Sequence, residues 1–296
     1  YTDDSGYTTT RTMLMVVDAY KNPEAVDMGN YRVINLTKNI NNGYLPFYNE
    51  VNNDKDLIIN GNGHTVTQNP IDDVFLWGAV HEDGAWNRPA IGNLFTSTDH
   101  KKITVNDLTF KGTTESISFG HWNNSDQTSN ANYKFELNNV NVIGNEIAIS
   151  LNVGVSPAVL VYGNYEFNNV NIYDNKLSEK FNPNGDPIWD VVTNNYSNGI
   201  IRNSNIGTMR TWTRTGLVVE NTKIGVLQVG SRKAHNGVTT IKSGTVIDKL
   251  IIGYSDVVLN IEEGAVVKEL DYNNVNSSKL TLSIAEGTVL SEVNKK

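Results

Sequence analysis

Cysteine is absent from the 296-residue chain. Its absence excludes disulfides and thiolate metal sites. No apolar run approaches the roughly 18 residues that a membrane-spanning helix needs. Basic residues are in the minority, 24 Lys and Arg against 32 Asp and Glu, giving a formal net charge of −8. Such a charge opposes binding to duplex nucleic acid. No segment sustains a helical period, so helix is expected to be scarce. No linker composition interrupts the chain, which predicts one domain over 1–296. The chain opens on Tyr1 with no signal-peptide pattern, the expectation for a processed or excised segment of a larger protein.

What is abundant is asparagine, at 43 residues. Asn tolerates left-handed turns and bonds its own backbone, so an Asn-rich β chain is turn-rich. Much of it sits in one returning phrase, apolar–x–apolar–x–Asn–x–x–apolar. The phrase occurs at Ile103–Phe110, Tyr133–Val142, Tyr165–Ile172, Gly199–Ile206 and Gly216–Ile224. If Asp107, Asn139, Asn169, Asn203 and Asn221 are equivalent, their numbers advance by 32, 30, 34 and 18. Later copies carry Gly244, Gly264 and Gly287 at the turn, advancing by 20 and 23. A minimal step of about 20 residues, lengthened by insertions, predicts a solenoid that adds one coil per repeat.

Along the chain, residues 1–30 read as a short N-terminal cap over the open end of the solenoid. Residues 31–215 read as coils with long loops, and 216–296 as compact coils. Tyr31–Leu36 and Asp56–Gln68 alternate as strands, with a turn at Asn60–Gly63. Four stretches break the repeat and read as loops: Trp77–Asn93, Thr113–Asn132, Leu177–Asn198 and Thr208–Thr215. Each holds at least one of the five tryptophans, Trp77, Trp86, Trp122, Trp189 and Trp212. Insertions in a solenoid tend to emerge on one face, and that face is commonly the binding one.

The phrase Leu57–Gln68 (LIINGNGHTVTQ), followed by strands ending in NNVNV and NNVNI, resembles the pectate-lyase-like parallel β-helices. More closely, it is similar to the adhesive β-helix domains of Gram-positive surface proteins, the neighbourhood of the binding regions of serine-rich-repeat adhesins of lactobacilli. The resemblance covers about residues 31–290. It implies an all-β fold, a single right-handed parallel β-helix, and a secreted module on the bacterial cell surface or cell wall. It also implies binding of polysaccharide or host glycan, often without catalysis.

The signatures of catalysis in that fold are missing. A pectate lyase of this kind is expected to show a Trp-x-Asp-His strand and an Arg-x-Pro-x-x-Arg strand. Here Ile188–Val191 lacks the His, and Arg88-Pro89 stands alone. A glycoside hydrolase would need clustered Asp residues; Asp72-Asp73 is an isolated pair, and Gly63-His64-Thr65 does not match a Gly-His-Gly. His64 reads as a turn residue. Asn182–Asp186 offers oxygen ligands around a glycine, so a structural Ca²⁺ is conceivable there. The run lacks the spaced Asp set and terminal Glu of a calcium loop, and reads better as a polar turn.

Charge is unevenly spread. Residues 198–250 hold Arg202, Arg210, Arg214, Lys223, Arg232, Lys233, Lys242 and Lys249 against only Glu220 and Asp248. A cationic island on an acidic body points to an anionic partner. Arg214 follows Asn203, and Arg232 follows Asn221, by the same interval. That spacing would stack the two arginines one strand apart, about 4.8 Å. Arg matches a carboxylate with two parallel bonds, and Trp212 between Arg210 and Arg214 could stack on a sugar ring. An ordinary solvated face with Trp212 covering a neighbouring coil explains the same residues.

The expected site is therefore a groove floored by Arg202, Arg210, Arg214, Arg232 and Lys233, with Trp212 alongside, and bounded by the Trp122 and Trp189 loops. The expected function is a non-catalytic adhesin module, monomeric within a larger surface protein. Its ligand would be an acidic polysaccharide or a mucin-type epithelial glycan, held better at acidic pH. No cofactor is expected. The alternatives are a polysaccharide lyase or glycoside hydrolase acting on polyuronates, and a structural spacer.

Overall fold

The structure is a computed structural model. It describes residues 23–28, 31–41, 45–46, 56–67, 91–92, 102–111, 117–119, 134–147, 157–161, 163–177, 189–193, 198–211, 216–230, 237–253, 257–272 and 280–295. Among these there is no helix, and the strands form a long ladder of parallel pairs. No helix of the described residues is long and apolar enough to cross a membrane.

Consecutive repeats pair with each other, in the coil-on-coil order of a parallel β-helix. Lys134–Ile143 pairs in parallel with Lys102–Lys111 on one side and with Asn164–Asn168 and Asn171–Tyr173 on the other. The order continues through Asn198–Arg202, Gly216–Glu220, Gly237–Ile241, Val257–Ile261 and Leu280–Ile284. The one antiparallel pair among the described residues is at the start, where Pro23–Met28 lies against Tyr31–Leu36. That strand is the described part of the expected cap; residues 1–22, 29 and 30 lie outside the described residues.

The repeat phrase explains the coil. Alternation puts residues such as Ile103, Val105, Phe135, Leu137, Tyr165 and Phe167 on one side of the strand, where they are buried in a single core. The Asn then turns the chain. Asp107, Asn139, Asn169, Asn203 and Asn221 all have φ between 45° and 56°, the left-handed region that Asn tolerates. The register puts these five at the same place in successive coils. In the last coils the turn is one residue longer, and Gly244, Gly264 and Gly287 take the left-handed position at φ 73°, 75° and 82°.

Amide side chains stack along this column. Asn139 donates to Asp107 at 2.8 Å, Asn169 to Asn139 at 2.7 Å and Asn221 to Asn203 at 2.9 Å. Asn203 crosses over to Asn168 at 3.0 Å. A parallel column runs Asn138, Asn106, Asn60, Asn35, each donating to the next at 2.8–3.0 Å. An Asn within a column both gives and takes one bond, so a single residue type extends the column across any number of coils.

All four expected loops contain strand residues, Ile91–Gly92 in the first of them. Thr208–Thr211 is the end of the strand Asn205–Thr211, not loop. Ile206, Met209 and Thr211 face inward there, while Gly207 and Thr208 both lie between inward positions. The strand bends round a corner at that pair, and the bend breaks the period of two that the sequence reading relied on. Val191–Thr193, inside the expected Leu177–Asn198 loop, pairs with Val159–Val161 on one side and with Met209–Thr211 on the other. Ile117–Phe119, in the expected Thr113–Asn132 loop, pairs with Val159–Val161.

Candidate functional site

The corner that Gly207 and Thr208 turn in one coil is where earlier coils open. Glu146–Ile147 and Lys176–Leu177 pair in parallel, and the chain after each leaves the described residues. It returns at Pro157 and at Trp189, just before the paired strands Val159–Val161 and Val191–Thr193. Segments 148–156 and 178–188 thus leave and return at stacked positions of neighbouring coils. The described residues that flank both segments therefore lie on one side of the solenoid.

A buried polar chain closes the base of these insertions. Asn145 donates to Asn175 Oδ1 through its side chain at 2.8 Å and its backbone at 3.0 Å. Asn175 Nδ2 donates to Asp190 Oδ1 at 2.6 Å and to the Val142 carbonyl at 3.0 Å. The second Asp190 oxygen accepts from the Thr208 amide at 2.8 Å and the Thr208 hydroxyl at 3.1 Å. Asn145 and Asp190 are 0% and 4% exposed, so this network stands in place of water. Burial pushes the Asp190 carboxyl above its ordinary value, and the bonds from Asn175 and Thr208 offset only part of that. The chain leaves the corner at Asn175 and comes back at Asp190, and the two are tied directly. Gly207 makes this contact fit, since a Cβ there would overlap Asp190 Oδ2.

Asp190 is the carboxylate of the Ile188–Val191 phrase compared above with a lyase strand. Both its oxygens are turned inward and engaged, so it fastens the loop base and offers no free ligand at the surface. Among the described residues, no group of three or more His, Cys, Asp or Glu could hold a metal ion.

Next to this clamp, strand alternation puts Leu160 and Val192 on the side away from the main core. They form a separate small cluster, 3% and 2% exposed, and the half-buried Trp189 packs on it. Val192 pairs in register with Arg210, and Arg210 with Gln228. The row therefore runs Leu160, Val192, Arg210, Gln228 along the solenoid, with Trp189 at its edge. Trp189 and Arg210 are brought to neighbouring coils on one side, beside the loop bases. The sequence pointed to both residues but not to the apolar pair between them.

Arg202 is placed differently. It lies on the strand Asn198–Arg202, before the Asn turn, in an ionic ladder that crosses five coils. Lys102 pairs with Glu136 at 2.8 Å, Lys134 with Glu136 at 2.6 Å and Glu166 at 3.3 Å, and Arg202 with Glu166 at 2.6 Å and Glu220 at 3.4 Å. Burial raises the Glu136 carboxyl, but Lys102 and Lys134 outweigh it and hold it below the ordinary value. The hydrogen bond to Glu136 in turn raises Lys134. Lys249 is likewise bound to Glu269 at 2.8 Å and Asp271 at 3.3 Å. Part of the cationic island is thus neutralised by carboxylates on neighbouring coils.

Trp122, Trp212, Arg214, Arg232 and Lys233 lie outside the described residues, as do Asp72-Asp73 and Asn182–Asp186. The expected stacking of Arg214 on Arg232 falls there too. Below it, Thr211 pairs with Val229; above it, Gly216 pairs with Val238. The sequence offset between the two coils is therefore larger above than below, and it changes across the segment that holds both arginines. No known protein family, characterised protein or solved structure matches the chain.

Proposed function

We propose that the protein is a non-catalytic carbohydrate-binding module of a bacterial cell surface, holding acidic polysaccharide or mucin-type glycan along its insertion-bearing side. The observation that supports this is the placement of Trp189 on Leu160 and Val192, with Arg210 next in the same row. An aromatic ring on an apolar base can stack on the face of a sugar, and a guanidinium one coil away can meet its carboxylate or sulfate. The row advances one residue per coil at strand spacing, about 4.8 Å, which suits an extended polymer better than a small molecule. The resemblance to adhesive β-helices supports the same reading. Arg202, held between Glu166 and Glu220, is left out of the binding set.

Acid should favour binding. The body carries a net charge of −8 with a sequence pI near 5.2, so it repels a polyanion less as its carboxylates protonate. The test is binding to immobilised polygalacturonate and to mucin at acidic and neutral pH, for wild type, Trp189→Ala and Arg210→Ala. Unsaturated-uronate absorbance is recorded in parallel. Acid-enhanced binding that falls about tenfold or more in either variant, without product, is expected. Binding unaffected by both variants would reject this site. Product formation would make the protein a lyase.

A further inference from the structure

The row that carries Trp189 and Arg210 does not end at Gln228. Gln228 pairs in register with Ile251, and Ile251 with Asp271. Each of the three lies between two inward-facing neighbours on its strand, on the side away from the main core. The row changes character along its length. It is apolar at Leu160 and Val192, cationic at Arg210, uncharged at Gln228 and Ile251, and acidic at Asp271. In the neighbouring column, Thr208 and Val226 give way to Lys249 and Glu269. Asp271 is 9% exposed. Its Oδ2 meets Lys249 at 3.3 Å, and the same ammonium is bound to Glu269 at 2.8 Å. Its Oδ1 is buried and has no hydrogen-bond partner. One shared lysine therefore offsets Asp271 only in part, and a buried carboxylate is screened less than an exposed one.

We infer that this acidic end makes the row selective for glycans whose acidic groups stand apart among neutral sugars, and turns polyuronates away. The inference rests on the binding row proposed above and names its ligand class. Arg210 and Asp271 lie three coils apart, about 14 Å at strand spacing. At physiological salt the screening length is about 8 Å, so an anion held at Arg210 hardly senses Asp271. An anion over Ile251 lies one spacing from Asp271, about 4.8 Å, inside that length. A polyuronate bears a carboxylate on every ring and runs past Arg210 in both directions. Whichever ring meets Arg210, others come over Ile251 and Asp271. A glycan with a single sialic acid or sulfate can place that group on Arg210. Its neutral rings then lie over Trp189 on one side, or over Gln228 and Ile251 on the other. Gln228 supplies an amide for hydroxyls, and Ile251 an aliphatic surface for a ring face. Charge set against the wrong ligand is a common route to specificity.

The test measures binding at neutral pH to three immobilised surfaces: mucin, the same mucin stripped of sialic acid and sulfate, and polygalacturonate. The proteins are wild type, Arg210→Ala, Asp271→Asn and Glu269→Gln. Wild type should hold mucin about tenfold or more tighter than either other surface, and Arg210→Ala should lose that preference. Asp271→Asn keeps the shape of the side chain and removes its charge. Its binding to polygalacturonate should rise about tenfold, closing most of the gap to mucin. Glu269→Gln leaves Lys249 to face Asp271 alone and should act in the same direction, without touching the buried position. Equal affinity of the wild type for mucin and polygalacturonate, or no gain on polygalacturonate in either carboxylate variant, would overturn the selectivity and leave the row standing. Stripped mucin held as tightly as intact mucin would overturn it as well. Mucin binding that survives Arg210→Ala unchanged, or no binding to any surface, would remove the row itself and this inference with it.

Discussion

Replacing Asp190 by alanine should loosen the coil from which the 178–188 insertion springs. The carboxylate accepts four bonds, from the Asn175 amide at 3.3 Å, Asn175 Nδ2 at 2.6 Å, the Thr208 amide at 2.8 Å and the Thr208 hydroxyl at 3.1 Å. Asn175 Nδ2 keeps the Val142 carbonyl, and a hydroxyl can rotate. The two backbone amides have no such recourse. Each buried donor left unpaired costs about 1–3 kcal/mol. Relief of the carboxylate's own burial returns part of the sum, so the net loss should be about 3 kcal/mol. Urea unfolding followed by circular dichroism measures it, with an unchanged slope showing that the same surface is exposed. Asp190→Asn keeps one acceptor and should lose about half as much. The pH dependence fixes the sign. Asp190 is raised above 3.8 in the fold, so its ionised form is the disfavoured one. Its contribution to stability is full below 3.8 and declines as pH rises through the folded value. The gap between wild type and Asp190→Asn should therefore narrow from acid to neutral pH. A loss below about 1 kcal/mol in Asp190→Ala, or a gap that widens toward neutrality, would refute the clamp.

Three further outcomes follow from neighbouring features. Gly207→Ala would drive a methyl into Asp190 Oδ2 and against Tyr173 at 3.2 Å, and should cost about 1–3 kcal/mol by calorimetry. Asn203→Ala loses its bonds to Asn168 and Asn221 and forces alanine to φ 52°; about 2 kcal/mol should go, and Asn203→Gly should restore the conformational part. Glu136 is held below 4.5 by Lys102 and Lys134, so its contribution is present above 4.5 and lost as pH falls through the folded value. Glu136→Gln should flatten the acid limb of the stability profile by about 1 kcal/mol or less, and high salt should remove most of the difference.

The coil register could be read from the sequence because one residue does one job in every repeat. Asp107, Asn139, Asn169, Asn203 and Asn221 were set equivalent by the phrase around them, and the strand pairing aligns them so. The glycines at 244, 264 and 287 were legible for the same reason. The third strand of each coil was not. Val191–Thr193 and Ile117–Phe119 are too short for alternation to show, and they exist only by pairing with strands of other coils, remote along the chain. Thr208–Thr211 was hidden by its corner. A signal for the clamp does lie in the sequence. Gly144-Asn145 and Asp174-Asn175 are the same kind of pair in neighbouring coils, with positive φ before each Asn. Charge counting puts Arg202 in a ligand groove because it cannot see Glu166, which the fold brings alongside from the preceding coil, 36 residues earlier.

The stacking of one coil on the next also sets how the molecule comes apart. Each coil leans on two neighbours, except at the ends, so cooperativity is local and opening travels inward from a terminus. Under load or mild denaturant, opening should therefore spread coil by coil, each coil that lets go uncovering the next. The coils that carry Trp189 and Arg210 have described coils paired on both sides, so they would be among the later parts to let go.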